Sequence, residues 1–357
     1  MTIAHDDPYV GRLFDRIALL VVDGEGDPAQ LHAELVELTL ANAPDVARYW
    51  KEVGFGTGVP DSAYKDGGPH LFPDAPVVRE FRTSGTTGSS RGLVRYTGPG
   101  LALKGISVAA NARLHISRPG ARPAVILFGP AERDAPHMAI AFDMARILET
   151  VGDPDLSLAV VGPDGVDYDR LAAHLDLVVA EGRPAVLLGA SFGYVNVCDE
   201  LEARGLRWDL PAGSRMYDGG GFKGRSRVMR VDELRDLVGR VLGVREFDNM
   251  FGMTELATQF YDAVDRPVGP LGERPKIGTV WSRMAVRDPA THGHVTAGRG
   301  LLEITDLCLI DRPHVLLTGD VALAGADGVA LAGRVAGTPS RGCSLSLDEM
   351  TAGTVNA

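Results

Sequence analysis

Apolar positions recur at threes and fours from Pro8 to about Gly54, through ALLVVD and then PAQLHAELVELTLANAPDVARYWKEVG, a spacing that predicts helices with one buried face. The Gly- and Pro-rich run from Gly54 to Pro76 has little periodicity and reads as a linker. Two short strand-like runs follow, VVREF and GLVRY, joined by the loop between them, and Leu101 to His115 reads as a helix. Strands and helices then alternate: AVILF, MAIAFDMARILETVG, LSLAVVG, YDRLAAHLDLVVAEG, AVLLG, YVNVCDELEARG. Strands that are continuous apolar runs, separated by helices, predict a parallel-rich α/β sheet covered on both faces. From about Asp265 the texture changes to β-like runs, GLLEITDLCLI, HVLLTGDVAL and GVALAGRV. The expected organisation is a helical preface and linker over 1–75, an α/β core over 76–264, and a small β-rich subdomain with a tail over 265–357.

Composition removes several function classes. The 357 residues are 45% hydrophobic, enough for one large domain or two ordinary ones, and the formal net charge of −11 opposes binding to polyanions. No nucleic-acid partner is expected. The start, MTIAHDDPYVGRLFD, carries acids where a signal peptide would be basic, and no apolar run has the length of a membrane span, so a cytoplasmic protein is expected. Three scattered cysteines do not make a disulfide framework or a zinc ribbon. Cys198 lies in an apolar helix pattern and Cys308 in an apolar strand, the setting of core thiols. His292 and His294 in THGHV have no third ligand at metal spacing, and no zinc is expected.

The loop Phe81 to Gly92, FRTSGTTGSSRG, crowds hydroxyls and glycines together and ends in a cation. Glycines let backbone approach an anion and hydroxyls donate at short range, so the loop suits phosphate; by composition alone it would also serve as a solvated turn. It fails the Walker pattern, because Ser89 rather than Lys follows Gly88, and it fails G-x-G-x-x-G. Four further stretches carry possible chemistry. GASFG, Gly189 to Gly193, matches a nucleophile elbow around Ser191, or else a tight strand-to-helix turn. In MYDGGGFKGRSR, Gly219, Gly220 and Gly221 would admit a flat ligand, with Lys223 beside it. FDNMFGMTE sets the Thr254 hydroxyl beside the Glu255 carboxylate, a hard-oxygen pairing for phosphate and Mg²⁺, or a helix N-cap pair. LLTGDVAL places Asp320 at the end of an apolar strand, as a ribose acceptor or a turn residue, with Gly333-Arg334 soon after.

Thr83-Ser84-Gly85-Thr86-Thr87-Gly88, then F-G-M-T-E, T-G-D and G-R, occur in the order and rough spacing of the adenylate-forming enzymes, and the chain resembles that superfamily from about Phe81 to Arg334. The resemblance implies its large α/β N-terminal domain, with 76–264 binding nucleotide and acyl group. It further implies that Ser84, Gly85, Thr86, Thr87 and Gly88 hold the phosphates of ATP, Thr254 the α-phosphate, Glu255 the metal, Asp320 the ribose, and Gly219, Gly220 and Gly221 the adenine. Arg334 also reaches the nucleotide.

Larger relatives carry a hinge acid after the Gly-Arg and then a C-terminal domain; Gly337 stands there instead and twenty residues follow, which implies no separate C-terminal domain. The ending TPSRGCSLSLDEM, the GGGFK run and the length look like the acyl-protein synthetase family of bacterial bioluminescence. In that family a cysteine near the end receives the acyl group, and Cys343 matches it. Arg341 and neighbouring amides would favour its thiolate, while a free thiol on a tail is the plainer alternative. His137 falls near the acyl-site gate of relatives, as a carboxylate or phosphate contact or else a surface histidine at a helix N-terminus, and Lys223 is the candidate for the cation that larger relatives take from the missing domain.

The expected activity is ATP- and Mg²⁺-dependent activation of a carboxylic acid as acyl-adenylate, with transfer to a thiol, either Cys343 or one on a partner reductase or carrier. The alternatives are a serine hydrolase or acyltransferase using Ser191, and a non-catalytic nucleotide-binding scaffold.

Overall fold

The computed structural model describes residues 2–64, 67–82, 92–120, 122–220, 229–266 and 274–334. In chain order the elements are helices α1 (Pro8–Asp23), α2 (Pro28–Asn42) and α3 (Pro44–Val53), strands β1 (Val59–Pro60), β2 (Arg79–Arg82) and β3 (Leu93–Tyr96), helix α4 (Gly98–His115), strand β4 (Ala124–Pro130), helix α5 (Ala139–Val151), strands β5 (Leu158–Gly162) and β6 (Gly165–Val166), helix α6 (Tyr168–Ala180), strand β7 (Ala185–Gly189), helix α7 (Ser191–Ala203), strand β8 (Arg215–Asp218), helix α8 (Val231–Leu242) and strands β9 (Glu246–Phe251) and β10 (Phe260–Asp262). The remaining strands are β11 (Lys276–Ile277), β12 (Ser282–Arg287), β13 (His294–Val295), β14 (Gly298–Asp306), β15 (Val315–Gly325) and β16 (Gly328–Arg334). The described residues fall into two compact units, the first formed by the chain up to Ala110 and again from Met253, the second by Asn111–Gly252.

In the first unit the expected helical preface is three helices, each opening on proline, whose missing N–H costs nothing in a first turn. Asp7 and Asp27 cap two of them, accepting from the amides of Tyr9 and of Ala29 and Gln30. Arg16 and Glu34 join α1 to α2 at 2.7 Å. The β-rich end is an antiparallel array in the order β13-β12-β14-β15-β16-β11-β10, with β1 laid parallel on β15. The texture from Asp265 suggested short pieces, but β14 and β15 run 9 and 11 residues. As expected, the VVREF and GLVRY runs supply two strands, and β2 and β3 pair antiparallel with Arg82 opposite Leu93.

The second unit is the expected α/β layer. Parallel strands stand in the order β9-β8-β7-β4-β5, with β6 folded back antiparallel on β5. Successive side chains of a strand point to opposite faces. Ile126 and Phe128 of β4 pack with Leu171 of α6, Val195 of α7 and Val241 of α8 in one core cluster, while Leu127 faces Met138, Ala141 and Met144 at α5. Helices therefore cover both faces. The winding reverses between β4 and β7, the first strand and the third, and the carboxyl ends of two such strands leave a crevice where α/β sheets receive ligands.

Candidate active site

At that crevice, in the second unit, lies a small pocket with a cavity volume of about 30 Å³. Its walls are the ends of β4 and β7, with Phe128, Pro130, Ala190 and Phe192, and α5 with the residue before it, through Met138, Ile140, Ala141 and Met144. The lining is almost wholly apolar, as a hydrocarbon or ring substrate requires. The GASFG motif lends it Gly189, Ala190 and Phe192, though the sequence offered that motif as a nucleophile elbow and not as a pocket wall, and His137 lies half-buried in the turn before Met138.

The glycines of GASFG answer to packing. A Cβ on Gly189 would stand 2.7 Å from the Phe128 Cβ, and one on Gly193 would stand 2.6 Å from the Phe128 carbonyl oxygen. Ser191 is 3% exposed, and its hydroxyl lies within hydrogen-bonding distance of the Asp218 carboxylate, at 2.8 and 2.9 Å, and of the Gly220 carbonyl. Among the described residues no imidazole is bonded to it, so the part of the elbow that is visible serves to hold the Gly219–Gly220 turn. That turn is fixed again by the Gly219 amide donating to the Gly189 carbonyl at 2.8 Å. A Cβ on Gly219 would stand 3.1 Å from the Met250 methyl and 3.7 Å from that of Met144, a wall of the pocket. The glycine turn thus adjoins the pocket. Gly221 and Lys223 lie outside the described residues.

In the first unit Thr254 and Glu255, 3% and 2% exposed, lie on a turn outside any helix, so the N-cap alternative does not apply. A buried irregular segment must find partners for its backbone, and side chains supply them. The Leu256 carbonyl accepts from Lys104 Nζ at 3.0 Å and from the Tyr96 hydroxyl at 3.3 Å. The Glu255 carbonyl accepts from Arg312 at 3.4 Å. Asp306 accepts from the amides of Ala257 and Thr258, both at 2.8 Å, from the Thr258 hydroxyl at 2.8 Å and from the Cys308 amide at 3.1 Å. Burial pushes the Asp306 carboxyl upward against those four donors.

The same side chains hold the hairpin that bears the hydroxyl-rich loop. Arg312, stacked 4.1 Å from the Tyr96 ring, donates to the Arg95 carbonyl at 2.8 Å, and Phe81 packs edge-on against Tyr96. The stem of the loop and the Thr254–Glu255 turn are therefore fastened to one another, while Ser84, Gly85, Thr86, Thr87 and Gly88 themselves lie outside the described residues, as does Cys343.

Asp320 is not at a strand end, as the sequence suggested, but in the middle of β15, opposite Arg334 of β16, and the two are 3.4 Å apart. Arg334 also reaches Asp61 at 3.3 Å. Sequence order alone gave no sign of that third member. Cys198 and Cys308 are buried, and burial pushes both thiols well above their ordinary range, which makes them unreactive.

No protein-family profile matches the chain, and no curated protein matches it in sequence. Solved structures do. An open conformation of a 2-hydroxyisobutyryl-CoA ligase in complex with 2-HIB-AMP and CoA matches over 95% of this chain and 77% of its own, with a TM-score of 0.59 at 13% identity. An ATP-bound RpMatB-BxBclM chimera (TM-score 0.48, 18% identity, 72% of this chain and 48% of its own) and a long-chain-fatty-acid-CoA ligase from Archaeoglobus fulgidus (0.48, 15%, 74% and 52%) are also similar. The chain spans about half the length of these two. At such identities the likeness is one of fold: the α/β fold of the N-terminal domain of adenylate-forming enzymes, as expected. Among the described residues no helix is long and apolar enough to cross a membrane.

Proposed function

We propose that the protein activates a carboxylic acid with ATP and passes the acyl group to a thiol. A carboxylate oxygen attacks the α-phosphorus, the bond to the β-phosphate oxygen breaks, and pyrophosphate leaves. A thiolate then attacks the acyl carbon and AMP departs. The observation that carries this reading is the double fastening of the hydroxyl-loop stem to the Thr254–Glu255 turn through Arg312 and Tyr96, because the reading assigns the phosphate donors to the loop on that stem and the metal carboxylate to that turn. The apolar pocket beside the Gly219–Gly220 turn supports it, as a place for an acyl chain next to a place for a flat base.

In this reading Ser84 to Gly88 clasp the β- and γ-phosphates, Thr254 contacts the α-phosphate, Asp320 accepts from the ribose, Arg334 holds Asp320 and reaches the nucleotide, and Gly219 to Gly221 face the adenine. The Thr254 hydroxyl and Glu255 carboxylate are hard oxygen donors side by side, a set that suits Mg²⁺. Bound there, the ion would supply positive charge to the phosphates. Lys223 supplies the cation for adenylation, His137 meets the substrate carboxylate at the pocket, and Cys343, or a thiol on a partner reductase or carrier, accepts the acyl group. Of the two thiol sources, Cys343 is the one favoured by resemblance to the acyl-protein synthetases.

The test is exchange of labelled pyrophosphate into ATP over a panel of fatty, aromatic and amino acids, expected to depend on one class of acid and on Mg²⁺. No exchange with any acid would sink the reading. Intact mass after incubation with the active acid should then show an acyl adduct on the wild type that is missing from Cys343→Ala; an adduct kept by the variant assigns the thiol elsewhere.

A further inference from the structure

Lys104 is fully buried, in a protein where such a charge must be compensated. It stands on α4, whose start is pinned to one spot. The Thr97 amide and hydroxyl donate to the Asp311 carboxylate at 2.9 and 2.6 Å, and a Cβ on Gly100 would collide with the same carboxylate at 1.9 Å. One helical turn beyond Gly100, that placement delivers the Lys104 ammonium to the Leu256 carbonyl at 3.0 Å and to a point 6.0 Å from the centre of the Phe81 ring. Phe81 is the next-to-last residue of β2, the strand before the hydroxyl-rich loop, and Leu256 follows Glu255 directly. A neutral donor, the Tyr96 hydroxyl, already serves the same carbonyl. The carbonyl therefore did not need a charged donor to be satisfied.

We propose that Lys104 is a positioning residue: its buried ammonium ties the peptide after Glu255 to the stem of the hydroxyl-rich loop, and so sets the position of the Thr254–Glu255 turn relative to that stem. This rests on the carboxylate-activating reading. Loss of the ammonium leaves the apolar acyl pocket as it is. The defect should therefore fall on turnover and on the metal, not on the acid.

The experiment compares wild type with Lys104→Met, which keeps the length and removes the charge, and with Lys104→Gln, which keeps a neutral donor should the Met variant fail to fold. In pyrophosphate exchange we expect kcat to fall about 10- to 100-fold, the size of effect that a small misplacement of reacting groups produces. The Mg²⁺ concentration for half-activity should rise several-fold and the KM for the acid should stay within about twofold, with Gln intermediate in kcat. A general loosening of the fold would instead raise the KM for the acid together with the loss of kcat, and that result overturns the proposal, as does wild-type kcat and metal requirement in both variants. A crystal structure of the Met or Gln variant decides the question apart from activity, since an unmoved Thr254–Glu255 backbone overturns the positioning role even if the wild type catalyses no exchange.

Discussion

The Thr254–Glu255 turn in one unit and the apolar pocket in the other solve opposite problems. The turn is irregular backbone buried almost completely, so its carbonyls and amides are met by polar and charged side chains drawn from β3, α4, β14 and the segment after it: Tyr96, Lys104, Asp306 and Arg312. Each of those contacts has direction, and losing Asp306 leaves buried amides unmet. The pocket is lined by side chains that need no partner, set by the ends of two strands and one helix. It can change size without leaving a polar group stranded. The lesson is that the two halves of the proposed chemistry should respond differently to mutation: geometry of phosphates and metal fails sharply, while acid preference drifts.

The sharpest break should come at Asp306. Replacing it with Ala strands the amides of Ala257, Thr258 and Cys308, and we expect about 3 kcal/mol of lost stability in urea unfolding. A loss under about 0.5 kcal/mol, the ordinary range of surface substitutions, would show that the turn does not depend on its acceptor. On the pocket side, Ala141→Leu should fold, lower kcat/KM for the bulkiest accepted acid about 10- to 100-fold and spare the smallest, as read by exchange over an acid series. Equal losses for all acids would remove the pocket from the acyl site.

The smallest effect is on pH, and it tests whether the first unit is built on neutral as well as charged buried groups. Burial, with His32 at 2.8 Å and Arg283 nearby, holds His314 well below its ordinary value. The unfolded chain takes up a proton there below about pH 6.5 and the folded chain does not, so stability is complete above that value and falls as the pH drops, by up to about 1.4 kcal/mol per pH unit for this group. Thermal unfolding from pH 7.5 to 5.5 should therefore show a decline that His314→Gln makes shallower. An identical slope in the variant would remove His314 as its source. Glu303 is shifted in the same direction, downward, but its window is different. Although burial works against it, hydrogen bonds from Arg287, His294 and the Gly58 amide hold its carboxylate below the ordinary range, so its contribution is lost only as the pH falls through the acid region below about 4.

Much of this was legible in the chain. The apolar runs at 124–128 and 185–189 became adjacent parallel strands, and the threes-and-fours spacing before Gly54 became helices, because periodicity records which face is buried. The hydroxyl-rich loop was correctly set between two strands. Asp320 was misjudged: Gly-Asp reads as a turn, but the bonds of β15 to β14 and β16 carry the strand through it, since tertiary pairing overrides local preference. Ser191 carried a motif whose glycines turn out to be demanded by the backbone and side chain of Phe128, about sixty residues earlier in the chain.

What the sequence determined by itself is the set of chemical groups and the order in which they occur: hydroxyls and glycines from Thr83 to Ser90, the Thr-Glu pair, the Gly-Asp and Gly-Arg steps, and the alternation of helix and strand. These are local properties, written in neighbouring residues. Only the tertiary structure decided that Lys104, Tyr96, Asp306 and Arg312 converge on one turn, that Arg334 joins Asp61 to Asp320, and that the ends of β4 and β7 open a pocket against α5. Residues up to 273 positions apart meet in these contacts because buried backbone and buried charge must each find a partner, and a partner's distance along the chain leaves no local signature.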